Sequence, residues 1–249
     1  MYRGVYTAAM GMLVDLTKID TLSNNLANVE TNGYKADTLA FKTYWEKEIY
    51  RIKPEPESRR VEFKSIGKLE QAVILDEVRT RFEQGTLEQT NIPTHLAIHG
   101  DGFFAVRKGE QTYYTRNGEF LRDADGRLVN TQGYALLGTN GQELRVPDNI
   151  SIDEAGNILD QNGNIVGTIG VYYLQNPKKE GDTFFSGNPQ PVQQNFRILS
   201  GYIEKSNVNV VREMIKMIEA HRHYEATSKT IVVHDELLNK VINNVGALR

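Results

Sequence analysis

The sequence predicts an α+β fold, with long helices at both ends and a central antiparallel β domain. Three features support this prediction: the distribution of glycine, the apolar spacing near each end, and frequent turns in the middle. Of the 21 glycines, 16 lie between Gly85 and Gly201, whereas glycine and proline are both absent from 12–32 and from 208–245. Because these two residue types mark turns, the chain divides into a helix, a β-rich middle and a second helix.

An amphipathic helix is predicted at the N-terminus. Its apolar residues are three or four positions apart, a spacing that places them on one helical face. They are Ala9, Met12, Leu16, Ile19, Leu22, Leu26 and Val29. Asn32 and Gly33 follow, and a glycine at this point can take the left-handed conformation that closes a helix.

A longer helix is predicted at the C-terminus, within a stretch of 38 residues that lacks glycine and proline. Alternating steps of four and three residues connect the positions that we call the predicted seam: Val210, Met214, Met217, His221, Tyr224, Ser228, Ile231, Asp235, Leu238, Ile242 and Val245. Such a repeat is typical of a coiled coil, so we expect the two terminal helices to pair along it.

Three polar residues interrupt the predicted seam. His221, Ser228 and Asp235, the polar seam residues, are seven positions apart, and polar residues in a coiled coil can fix its register. We expect them to set the register between the terminal helices or between neighbouring subunits. The alternative is that they face solvent on a helix whose true seam is the second apolar line: Val211, Ile215 and Ile218.

Short strands separated by Asn-Gly and Asp-Gly turns predict an antiparallel meander or barrel in the middle of the chain. A polar-Gly-polar-apolar pattern recurs at 125–128 and 162–165, and with alanine in first place at 155–158. We interpret these segments as repeated hairpin turns.

Three regions follow from these patterns. Residues 1–34 and 202–249 are expected to form one discontinuous helical polymerisation domain, and residues 76–201 the β-rich central domain. Between them, 35–75 is predicted to be an extended and irregular linker region. It carries aromatic bulk, including Tyr44 and Trp45, and then Pro54-Glu55-Pro56-Glu57, which should break any regular element.

No catalytic, cofactor or metal site is predicted. The chain has no cysteine, which excludes disulfides, thiolate nucleophiles and Cys-type zinc sites. Asp123-Ala124-Asp125-Gly126 begins like a calcium loop, but the sixth position of that loop must be glycine and is Leu128 here. His221 and Glu225 have ligand spacing without an HExxH motif, so surface pairing is the simpler interpretation. A net charge of −3 offers no field that attracts nucleic acid or an anionic membrane.

Segments at both ends and in the middle resemble flagellar basal-body rod and hook axial proteins. The first is Ser23-Asn24-Asn25-Leu26-Ala27-Asn28-Val29-Glu30-Thr31-Asn32-Gly33-Tyr34-Lys35, a helix end closed by Gly, an aromatic residue and a basic one. The second is Gly201-Tyr202-Ile203-Glu204-Lys205-Ser206-Asn207-Val208-Asn209-Val210-Val211. The third group includes Gly100-Asp101-Gly102-Phe103-Phe104 and Tyr114-Thr115-Arg116-Asn117-Gly118.

The resemblance implies a structural subunit of the bacterial flagellar rod rather than an enzyme. Its terminal helices would pair as a coiled coil and pack against copies of itself and other rod and hook axial proteins, with the β domain outside. Such subunits pass unfolded through the flagellar type III export apparatus. That route agrees with the lack of a secretory-signal pattern in Met1–Thr7, and implies a place in the periplasm-spanning basal body.

Asparagine side chains both donate and accept hydrogen bonds, so the Asn-rich run suits a dense interface; the alternative is a fraying helix end. Together with the helix faces it gives the expected assembly interface: Leu16, Ile19, Asn24, Asn25, Leu26, Asn28, Gly33, Met214, Met217, His221, Tyr224, Ile231, Leu238 and Ile242. The short length and the modest middle favour a rod over a hook subunit. Within the rod, a proximal subunit is expected rather than a distal one. The competing hypothesis is a soluble β-domain binding module whose helices form a private intramolecular hairpin.

Overall fold

The computed structural model describes residues 2–43, 46–54, 61–70, 73–192 and 196–246. Part of the irregular-linker prediction rests on Tyr44, Trp45 and residues 55–60, which lie outside the described residues. Within these ranges, no helix combines the length and the apolar character needed to cross a membrane.

The described chain has one helix at each end and strands between them, which confirms the α+β fold class. The elements are α1 Tyr2–Ala27, β1 Asp37–Thr43, β2 Glu46–Pro54, β3 Val61–Glu70, β4 Val73–Thr80, β5 Leu87–Gln89, β6 Leu96–Gly100, β7 Phe103–Lys108, β8 Gln111–Thr115, β9 Phe120–Arg122, β10 Leu128–Asn130, β11 Ala135–Leu136, β12 Ser151–Ile152, β13 Asn157–Leu159, β14 Ile165–Thr168, β15 Val171–Glu180, β16 Phe184–Pro191, β17 Phe196–Ser200, β18 Tyr202–Glu204 and α2 Val210–Gly246.

The chain divides into two compact units. Unit 1 comprises Met1–Asn24, Asp37–Arg79 and Val211–Arg249, and unit 2 comprises Asn25–Ala36 and Thr80–Val210. Most of α1 and nearly all of α2 thus share a unit with the region that was expected to be a linker.

Unit 1 contains regular strands where the sequence analysis expected an irregular stretch. β1 pairs with β4, and β2 pairs with β3 in an antiparallel ladder from Glu46–Glu70 to Pro54–Val61. The proline expected to break regular structure, Pro54, is the last residue of its strand. A missing N–H donor costs little at a strand end, so the ladder forms in spite of it.

Unit 2 is built around a small closed set of antiparallel strands. β7 pairs with β8 and β15, and β16 pairs with β15 and β8, so the four strands return on themselves. β11, β10 and β9 extend the same sheet from β7. The main core is wholly apolar and consists of Leu96, Ile98, Phe104, Val106, Phe120, Leu128, Leu136, Leu144, Val146, Ile158, Ile169, Val171, Phe184 and Ile198.

The predicted hairpin turns are confirmed, and they share one further feature. An aspartate or asparagine comes three residues before the glycine in the three predicted turns and in a fourth at 130–133; these residues are Asp123, Asn130, Asp153 and Asp160. The Asp160 carboxylate, for example, accepts backbone N–H bonds from Asn162 at 2.8 Å and Asn164 at 2.9 Å. Short polar side chains stabilise turns in this way. The four turns connect β9 to β10, β10 to β11, β12 to β13 and β13 to β14.

Candidate assembly site

A buried ion network in unit 2 joins the three segments singled out in the sequence. Lys35 Nζ lies 2.6 Å from Glu204 Oε1, and Arg116 Nη1 lies 3.4 Å from Glu204 Oε2. The exposed fractions of the three side chains are 1%, 5% and 0% for Lys35, Arg116 and Glu204. Two further donors reach backbone carbonyls, since Lys35 Nζ binds Glu83 O and Arg116 Nη2 binds Gly100 O. Arg116 Nε is also buried and has no hydrogen-bond partner among the described residues. We call these three residues the buried triad.

Burial sets the protonation behaviour of the two cations. Removal from water lowers the pKa of Lys35 below its ordinary value, and the neighbouring Glu204 carboxylate opposes that shift. Burial likewise lowers the pKa of Arg116, again opposed by Glu204. Two buried cations thus depend on one carboxylate. Removing one partner of a buried ion pair leaves an uncompensated charge and costs much more than the pair itself contributes.

Gly33 closes the N-terminal signature by close backbone contact. Its φ is 70°, in the left-handed region, and a Cβ added there would lie 2.3 Å from the backbone N of Asn117. Its N–H donates to Glu204 O at 2.7 Å. Only glycine satisfies both the dihedral and the contact.

Two residues expected at the assembly interface are therefore placed inside this chain's own fold. One is Gly33. The other is Asn25, which is 1% exposed and accepts a hydrogen bond from the Tyr34 hydroxyl at 3.0 Å. Tyr34 in turn packs with Ala36 and Val208 in a small core cluster.

The two terminal helices of unit 1 run side by side in opposite directions. A Cβ added at Gly4 would lie 3.2 Å from His234, and one at Gly11 would lie 3.9 Å from Thr227. Farther along, Asp15 Oδ2 lies 2.5 Å from the Nδ1 of His223. The contacts are seven and four residues apart on both helices, so the pairing follows one line.

The α2 residues of that line are not themselves members of the predicted seam, although Tyr224, Ile231 and Leu238 of the seam are half-buried at neighbouring positions. The α2 residues that approach α1 are His223, Thr227 and His234. His223 follows His221 of the predicted seam by two positions, which is about 200° around the helix axis. A regular apolar spacing shows that a face can be buried, but it does not identify what buries it. Small residues on α1 and the Asp15–His223 contact determine the face that pairs within the chain.

The remaining residues of the expected interface lie on open or half-open surfaces. Leu16, Met214 and Ile242 are 42%, 48% and 65% exposed. Asn24 and His221 are also exposed, while the others are half-buried: Ile19, Leu26, Asn28, Met217, Tyr224, Ile231 and Leu238. Sequence reasoning missed further exposed apolar residues on the two helices, namely Tyr6, Leu13, Val232, Val233, Leu237 and Val241. These residues are apolar in the sequence, but they lie outside the predicted seam and the other apolar lines chosen there.

A cavity of about 530 Å³ lies within unit 1, between the two helices and β1. Apolar atoms dominate its wall, from Leu22, Leu39, Phe41 and Ala220. Its charged lining residues are Asp15, Lys18, Asp37, Glu213, Lys216, Glu219 and His223. Among the described residues, no cluster of His, Asp and Glu could hold a metal ion. The sequence analysis did not predict this cavity because β1 belongs to the stretch that was expected to be irregular.

Comparison with known proteins gives three family matches along the chain. Residues 6–35 match the flagella basal body rod protein family, 97–160 match the D1 domain of the flagellar hook protein FlgE/F/G family, and 199–244 match the C-terminal domain of the flagellar basal body rod FlgEFG proteins. Each of the three matches contains one member of the buried triad.

Relatives that align along almost the whole chain are named as flagellar rod proteins. The flagellar basal-body rod protein FlgG of Borreliella burgdorferi is 32% identical over 267 residues, covering 98% of this chain and 99% of the relative. The FlgG protein of Bacillus subtilis is 30% identical over 98% of this chain and 99% of its own length. The FlgF rod protein of Caulobacter vibrioides is 29% identical, with both chains covered completely. The chain therefore belongs to the flagellar basal-body rod protein family, which is a family of structural proteins and not of enzymes.

Proposed function

We propose that this chain is a subunit of the flagellar rod that polymerises through the outward faces of its terminal helices. One observation carries the proposal. Among the described residues, Ala220 is the single fully buried apolar residue that belongs to unit 1, and all the others belong to unit 2. Among its described side chains, unit 1 thus has almost no apolar core.

The same helices display many apolar side chains to solvent. On α2 these are Val210, Val211, Met214, Ile215, Ile218, Val232, Val233, Leu237, Val241 and Ile242, each at least 39% exposed. Large exposed apolar areas are uncommon on a soluble monomer and mark a protein interface. The partners that fit the family are copies of this chain and other axial proteins of the rod and hook.

The antiparallel contact of α1 with α2 supports the competing function, a soluble binding module with a private helical hairpin. However, a private hairpin should bury its apolar side chains between its helices. Here ten apolar side chains of α2 stay at least 39% exposed, and the contacts at Gly4, Gly11 and Asp15 of α1 are made with histidine and threonine. Passage through the flagellar export apparatus and a proximal position in the rod remain predictions from the sequence.

A matched pair of substitutions tests the proposal. Leu237→Asp places a charge on the exposed face of α2, where the wild-type side chain is 52% exposed. Leu121→Asp makes the same chemical change in unit 2, at a side chain that is 50% exposed. Neither change should unfold the monomer, because exposed substitutions usually alter stability little.

In a strain that lacks the wild-type gene, Leu237→Asp should abolish motility and remove the chain from purified basal bodies. Burying an unpaired carboxylate in a packed interface costs several kcal/mol. Leu121→Asp should leave both properties intact. Normal swimming and normal incorporation of Leu237→Asp would argue against assembly through this face.

A further inference from the structure

We infer that unit 1 assembles head to tail, with an exposed line on α2 of one copy seated in the 530 Å³ cavity of the next. The line consists of Val211, Ile215, Ile218 and Arg222, and we call it the 211–222 line. This inference rests on the proposed function and specifies its contact surfaces.

The cavity and the 211–222 line lie on opposite sides of the same helix. Ile215 and Ile218 each follow a cavity-lining residue, Glu213 and Lys216, by two positions. Two positions correspond to about 200° around the axis of an α-helix. Glu213, Lys216 and Ala220 therefore close the cavity from one side of α2, while the line points away from it; Glu219, which also lines the cavity, lies between the two sides. A subunit cannot fill its own cavity with this line.

Opposed donor and acceptor surfaces give a heterologous contact. Such a contact repeats from subunit to subunit and produces a ring or an open helical filament rather than a closed dimer. The arrangement suits a tubular polymer, in which every subunit both inserts a line and receives one.

The apolar character of the two surfaces matches. Val211, Ile215 and Ile218 are 67%, 52% and 52% exposed. The cavity wall is formed mainly by apolar atoms of Leu22, Leu39 and similar residues, and its volume lies within the roughly 300–1,000 Å³ of pockets that enclose a ligand. Placing the line in the cavity removes both apolar surfaces from water, which favours association.

The charges match as well. Four carboxylates line the cavity, Asp15, Asp37, Glu213 and Glu219, together with Lys18, Lys216 and His223. Asp15 already pairs with Lys18 and His223, and Glu213 with Lys216. The carboxylates still outnumber the lysines by two, so the lining favours a cationic group. Arg222 at the end of the line is exposed, and it forms no ion pair within the described part of the chain. Oppositely charged surfaces that meet in an interface fix its register and disfavour wrong partners.

The other exposed stretch of α2 fits less well. Its apolar residues, from Val232 to Ile242, are interrupted by the exposed acids Asp235 and Glu236. These acids would meet the carboxylates of the cavity, and like charges brought together oppose binding. The 211–222 line is therefore the favoured occupant.

Disulfide cross-linking in assembled basal bodies tests the inference, because the chain contains no cysteine of its own. Thr21→Cys places a thiol in the cavity wall; the Thr21 hydroxyl bonds only to the Thr17 carbonyl of its own helix, at 3.0 Å. Ile218→Cys places a thiol on the line. Oxidation of the double variant should convert most of the monomer to a ladder of dimers and longer oligomers. Each single variant should stay largely monomeric.

The control is the double variant Thr21→Cys with Val232→Cys, since Val232 is exposed to a similar extent, 55%, on the other stretch of α2. The inference would be overturned if this control pair gave a ladder and Thr21→Cys with Ile218→Cys did not. Cross-linked dimers from either single variant would also overturn it. An incorporated but unlinked Thr21→Cys, Ile218→Cys chain would also overturn it and would leave the proposed function standing. By contrast, absence of the wild-type chain from basal bodies would contradict both.

A second pair of variants decides the matter if the double-cysteine chain does not assemble. Arg222→Glu should abolish incorporation because it brings a fifth carboxylate to the cavity, whereas Arg222→Lys should retain it. Incorporation of Arg222→Glu at the wild-type level would overturn the inference. Circular dichroism of both purified variants confirms that unit 2 remains folded.

Discussion

Glu204→Gln is the substitution with the largest expected effect on the stability of unit 2. It removes the one carboxylate of the buried triad, and with it the counter-charge that contacts both the Lys35 and the Arg116 cation, whose exposed fractions are 1% and 5%. The amide oxygen of glutamine can still accept the Gly85 N–H, which lies 2.9 Å from Glu204 Oε1. The change therefore isolates the loss of charge from the loss of shape.

The expected cost follows from the burial of the triad. Breaking a buried ion pair by removing one partner destabilises a protein by about 3–5 kcal/mol, which is a large part of the roughly 5–15 kcal/mol that holds a typical domain folded. Urea unfolding of the purified chain, followed by circular dichroism, gives the free energy of unfolding. The midpoint should fall strongly, while the denaturant dependence stays unchanged.

Glu88→Gln is the matched control. It makes the same chemical change on β5, opposite Ile203 of β18, in a side chain that is 57% exposed and 3.5 Å from Lys205. An exposed pair of this kind contributes at most about 1 kcal/mol. Equal losses from Glu204→Gln and Glu88→Gln would refute the argument that burial makes the triad important.

Three further outcomes are expected. Gly33→Ala should lower the melting temperature far more than Gly109→Ala, since both glycines have positive φ but a Cβ meets backbone atoms only at Gly33. Backbone hydrogen bonds lower the pKa of Asp160. The stabilisation by its carboxylate is therefore complete above the ordinary pKa of 3.8 and is lost as the pH falls through the lowered value. The difference between the urea midpoints at about pH 6 and about pH 3 should be smaller in Asp160→Asn than in the wild type. Single alanine replacements of the polar seam residues should change monomer stability little, because His221 and Asp235 are exposed and Ser228 is half-buried. Motility of the three strains then tests whether they set the register between subunits.

The elements that follow from local chemistry were predictable from the sequence. The turn at Gly33 forms because only glycine fits there, although α1 itself ends earlier than predicted, at Ala27. The hairpins form where Asp or Asn precedes a Gly at a fixed distance. These features depend on a few neighbouring residues. The repeated pattern at 125–128, 155–158 and 162–165 therefore identified the turns correctly.

The features that depend on distant residues were not predictable. Lys35 and Glu204 are separated by 169 positions, and nothing in either segment shows that the two side chains meet. The apolar lines of α2 showed that the helix has several faces able to be buried, but His223 and Asp15 determine which face contacts α1. The strands of unit 1 were missed because their pairing, rather than their composition, makes them regular.

Unit 1 is expected to gain most of its stability from neighbouring subunits. Hydrogen exchange measured on the purified monomer and on assembled rods tests this most directly. In the monomer, the amides of α2 should exchange much faster than those of core strands such as β7, because few buried apolar contacts oppose local opening. In the rod, the same α2 amides should become strongly protected. Protection of α2 in the monomer equal to that of β7, with no further gain on assembly, would contradict the claim.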